Sequence, residues 1–79
     1  MFPKYFCLKQ NKFYFKIINL SHFQELKIIG SKYQLSDIQI LKLPERIYLQ
    51  DLMANGYEIS EIEYTEKVNY CIKNLTLIN

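Results

Sequence analysis

The chain has 79 residues, of which 49% are hydrophobic and 23% charged, with a formal net charge of +2. That length bounds it to a single domain over residues 1–79, with enough chain to bury somewhat more than ~60% of its unfolded surface. The composition excludes the low-hydrophobicity, high-charge signature of disorder, and no apolar run approaches the ~20 residues needed to span a bilayer.

The N-terminal MFPKYFCLKQNK breaks any signal-like core with Pro3, Lys4, Lys9 and Lys12, so a cytoplasmic protein is expected. In that setting Cys7 and Cys71 read as buried thiols, being too few and too distant for a metal framework. The glycosylation patterns at Asn19-Leu20-Ser21 and Asn74-Leu75-Thr76 then carry no meaning. Nine Lys against one Arg, a single Ala and no Trp indicate an AT-rich genome, such as that of a bacterium, plastid, phage or plasmid.

In chain order, Tyr5-Phe6-Cys7-Leu8 and Phe13-Tyr14-Phe15-Lys16-Ile17-Ile18 are β-type runs joined by a polar link, predicting a hairpin over 4–20. Ser21 with Gln24 has capping-box spacing, and Phe23, Leu26 and Ile29 recur helically before Gly30, predicting a short helix over about 22–29. Residues 31–43 fit strand or helix, and the alternation around Ile38 and Ile40 favours strand.

Pro44 at a first helical position, Glu45 behind it, the stripe Tyr48, Leu49, Leu52, Met53 and the stop Asn55-Gly56 predict a helix over about 44–55. Beyond Gly56, Tyr57 and Ile59, then Ile62 and Tyr64, alternate with one phase slip near Ser60 as at a bulge, and Val68, Tyr70 and Ile72 continue the period after the polar Thr65-Glu66-Lys67, predicting a second hairpin over 57–78. The expected fold is α+β, a small two-layer single domain with an antiparallel sheet built from the N- and C-terminal hairpins.

Helix followed by Asn-Gly resembles the first half of a helix-turn-helix, which requires a recognition helix a few residues later. The strand-like pattern after Gly56 argues against one, and Glu58, Glu61, Glu63 and Glu66 would face phosphates there. Catalysis finds no support either. His22 is the one histidine, no nucleophile is placed beside it by a motif, Glu61 and Glu63 read as a solvated acidic face, and the two glycines form no phosphate loop. No catalytic residue, cofactor or metal is expected.

Charge is distributed unevenly. Residues 1–50 hold eight Lys or Arg against three Asp or Glu, a net of +5, whereas residues 51–79 hold two against five, a net of −3. The expected function is that of a small non-enzymatic protein-interaction module, either a subunit of a larger assembly or an inhibitor or regulator carried by a phage or mobile element. Twelve aromatics, a dipolar charge layout and sheet edges suit such docking, and homo-oligomers belong to the same class.

The alternative is single-stranded nucleic-acid binding, to RNA or single-stranded DNA, through KYFCLKQNKFYFK. Lysines would hold phosphates there while an outward Tyr14 stacks a base, although the stretch lacks the glycines of aromatic RNA-binding strands. The candidate partner-binding residues are Lys9, Lys12, Tyr14, Lys16, Tyr57, Glu61 and Glu63.

Overall fold

The computed structural model describes residues 2–8 and 12–78. Its elements are β1 (Lys4–Leu8), β2 (Phe13–Asn19), β3 (His22–Ile29), β4 (Lys32–Gln39), α1 (Leu43–Asn55), β5 (Tyr57–Ile59), α2 (Glu61–Asn74) and β6 (Thr76–Leu77). They form an α+β domain around one six-stranded sheet of order β5-β1-β2-β3-β4-β6. Every neighbouring pair is antiparallel except β4 and β6, which run parallel.

The first four strands are a meander. β1 and β2 pair from Lys4–Ile17 to Leu8–Phe13, as the hairpin expectation requires. Residues 22–29 are strand, not the short helix expected. Phe23 packs on one face of the sheet while Leu26 and Ile28 pack on the other, so the strand needs apolar residues of both parities and shows no clean alternation. The tight return into β4 places Gly30 at φ +59°, a left-handed conformation that costs an L side chain free energy.

α1 forms where expected. Pro44 lies in its first turn, the Glu45 carboxylate accepts from the Leu41 and Lys42 N–H groups, and the Gly56 N–H donates to the Leu52 carbonyl at the end. The C-terminal hairpin is absent. Residues 61–74 are helix, β5 and β6 never pair, and they close opposite edges of the sheet. Ser60 caps α2 by accepting from the Glu63 N–H at 3.1 Å, and Tyr64, Val68, Cys71 and Leu75 fall on its inward side.

The helices occupy opposite faces. Successive side chains of a strand point to opposite sides; Tyr5 and Cys7 pack with Tyr64 and Cys71 of α2, whereas Phe6 packs with Leu49 and Leu52 of α1. The chain after β4 therefore crosses one face as α1, pairs briefly with β1, recrosses the other face as α2, and ends beside β4. This belt also removes the helix-turn-helix reading: two helices do flank Asn55-Gly56, but a six-stranded sheet lies between them.

Two apolar clusters result. The one under α1 is built on Phe6, Phe15, Ile17, Phe23, Ile40, Leu49 and Leu52. The one under α2 is built on Tyr5, Cys7, Tyr14, Leu26, Tyr33, Tyr64 and Cys71, so both thiols are buried as expected. No described helix is long and apolar enough to cross a membrane.

Candidate interaction surface

The belt decides which side chains remain available. Tyr14, expected outward, is 7% exposed because α2 lies over it. The Lys67 ammonium sits 5.6 Å from its ring centre, and its phenol is pushed up to about 12, by burial first and then by Cys7. Lys16 is half-buried on the same face, opposite Tyr5, while Lys12 is exposed before β2 and Lys9 lies outside the described residues. Tyr57 is exposed on β5, and Glu61 and Glu63 are exposed in the first turn of α2.

Of these residues the structure brings Tyr14 and Glu63 together, in an open cleft of about 330 Å³ that Glu66, Lys67 and Tyr70 complete. Glu61 instead adjoins Tyr5, whose phenol is raised by burial and secondarily by that carboxylate. Among the described residues of KYFCLKQNKFYFK the basic and aromatic side chains do not share one face. Phe13 and Phe15 belong to the α1 side, Lys4 lies over Phe2 and Lys27 over Phe13, and Lys16 points to the opposite face.

His22 Nε2 meets an Asp37 carboxylate oxygen at 2.5 Å, in a pair that is largely exposed on the Asp37 side. Among the described residues no hydroxyl or thiol hydrogen-bonds to this pair. Among the described residues no group of three His, Cys, Asp or Glu could hold a metal.

The surface that sequence reasoning missed is the outer side of α1. Leu49 and Leu52 face the sheet, and the Tyr48 ring packs within 6.2 Å of Phe15 and Phe23 while its hydroxyl donates to Glu25 at 3.1 Å. Burial, then Glu25, pushes that phenol up to about 12. Away from the sheet, Leu43 is 66% and Ile47 48% exposed; Leu41, just before the helix, is 82% exposed. Beside them Leu20, Ser21, Arg46, Leu49, Gln50 and Met53 line a cleft of about 300 Å³.

α1 is thus apolar on both sides, a pattern expected of a helix covered on both sides. Its outer residues Leu43, Ile47, Gln50 and Ala54 recur at intervals of four, three and four, a signal present in the sequence beside the inward stripe. Compared with known protein families, curated proteins and solved structures, the chain matches none.

Proposed function

We propose that this domain works by binding protein, without catalysis, and that the outer side of α1 is its contact surface. The observation that carries the reading is the cluster of large apolar side chains there, Leu41, Leu43 and Ile47, with Leu20 across the adjoining cleft. Exposed apolar groups rimmed by polar residues mark interaction sites, because covering them releases hydration water. Arg46 and Asp51 supply that rim.

Binding to RNA or single-stranded DNA draws less support. Its stacking residue Tyr14 is under α2, and its lysines divide between the two faces. The roles in view are those of an assembly subunit or of an inhibitor or regulator.

The test is affinity capture from native host lysate, with and without nuclease, using the wild type, Leu43→Glu/Ile47→Glu and Lys12→Glu/Lys16→Glu. Nuclease-resistant protein capture that is lost only with the apolar pair is expected. Recovery of nucleic acid, lost only with the lysine pair, would overturn the reading.

A further inference from the structure

We infer that the surface closing over the outer side of α1 is a second copy of this chain, with the two α1 helices side by side and parallel about a two-fold axis. This deepens the proposal of a protein-binding α1 face and rests on it.

The first ground is periodicity. At 3.6 residues per turn, Leu43, Ile47, Gln50 and Ala54 form one seam centred about 160° around the helix from the Leu49–Leu52 side. A 4-3-4 seam is the spacing that lets one helix seat its side chains between those of another. Because the seam points away from the sheet, a second helix can lie on it with each sheet on the outside of the pair.

The second ground is charge. Arg46 and Asp51 flank this seam on opposite sides, about 70° either way, separated by five residues or ~7.5 Å of rise. Both are exposed, and among the described residues neither side chain makes an ion pair or hydrogen bond. In a parallel pair, the two-fold axis lies along the helices and sets each flank against the opposite flank of the second copy. Arg46 of one chain then meets Asp51 of the other, twice, at the five-residue offset of interhelical ion pairs in parallel coils. An antiparallel pair keeps each flank with its like, Arg46 with Arg46 and Asp51 with Asp51. The charges therefore favour the parallel arrangement.

The pairing is also closed. A two-fold contact uses the same patch on both copies and leaves no complementary surface for growth into fibres. Gln50, the polar residue in an otherwise apolar seam, faces its own counterpart near the axis, where an amide pair can hydrogen-bond and hold the register.

The experiment is sedimentation equilibrium of the purified full chain from about 5 µM to 1 mM, with circular dichroism as the folding control. The wild type is expected to pass from monomer to dimer, and Leu43→Glu/Ile47→Glu to stay monomeric. Arg46→Asp and Asp51→Arg alone should each weaken association at least tenfold, and the double exchange Arg46→Asp/Asp51→Arg should restore it to within a few-fold.

Direction is read separately. Ala54→Cys should cross-link to itself on mild oxidation while the wild type does not, because an antiparallel pair would hold the two positions at opposite ends. Monomers throughout the range, or dimers insensitive to the seam substitutions, would overturn the inference. The α1-binding proposal would survive that result if lysate capture still depended on Leu43 and Ile47, and would fall with it if capture did not.

Discussion

Two leucines of α1 give the sharpest test of how that helix is seated. Leu52 is 2% exposed within the Phe6–Phe15–Phe23 cluster, and Leu43, nine residues earlier on the same helix, is 66% exposed. Truncating a fully buried leucine removes its transfer free energy and leaves a cavity, about 2–5 kcal/mol in all. Truncating an exposed one away from such features changes stability by about 0.5 kcal/mol or less.

A domain of 79 residues has roughly 4–12 kcal/mol in total, so Leu52→Ala removes a large fraction of it. With a urea dependence near ~1–1.5 kcal/mol/M for so small a chain, the midpoint of Leu52→Ala should fall by about 1.5 M or more while that of Leu43→Ala barely moves. The assay is urea unfolding followed by circular dichroism at the lowest usable protein concentration, where association contributes least. Equal losses, or a larger loss for Leu43→Ala, would refute the orientation of α1 and with it the proposed contact surface.

Ser60→Ala should cost about 1 kcal/mol by leaving the Glu63 N–H of α2 without its cap, and Ser60→Asp should recover most of it, both read by urea unfolding. Gly30→Ala should cost about 1–2 kcal/mol, because the added Cβ meets nothing within 4 Å and the φ of +59° is the whole penalty; Gly30→Asn should cost less. Tyr14 and Tyr64, both buried, hold their phenol protons up to about 12 against an ordinary value of 10, through burial first. Raised folded values mean that this contribution to stability is intact below pH 10 and is lost as pH rises from 10 to about 12. Phenolate absorbance and circular dichroism should therefore change together in that window; full ionisation of all tyrosines by pH 11 with the fold intact would contradict the burial.

What the sequence made legible follows from local chemistry. α1 carries its own start and stop signals in Pro44 and Asn55-Gly56, and the first hairpin its two β-type runs; the strand expected over 31–43 forms only as Lys32–Gln39, with Tyr33 on one face and Ile38 on the other, and Leu43 already opens α1. β3 was illegible because both sheet faces are covered, so its apolar residues fall on both parities and mimic a helical repeat.

Residues 57–64 mimic strand because Tyr57 and Ile59, then Ile62 and Tyr64, alternate with a slip at Ser60, yet two helix signals are present in α2: the Ser60–Glu63 capping pair and the 4-3-4 run Tyr64, Val68, Cys71, Leu75. That mimicry carried a further error. With 61–74 taken as strand, nothing remained to cover the face on which Tyr14 lies, and a buried residue was assigned to the surface. The outer seam of α1 escaped notice because the inward stripe alone already explained a helix.

The belt arrangement, with α1 and α2 on opposite faces and the outer side of α1 uncovered within the chain, is tested most directly by nuclear Overhauser contacts of methyl- and aromatic-labelled protein. Leu49 and Leu52 should contact Phe6, Phe15 and Phe23, and Val68 and Tyr64 should contact Tyr14 and Leu26, with the Leu43 and Ile47 methyls showing no contact to the sheet. Direct contacts between the buried sides of the two helices, Leu52 with Tyr64 or Val68, would contradict the account by placing them together on one face as a helix-turn-helix.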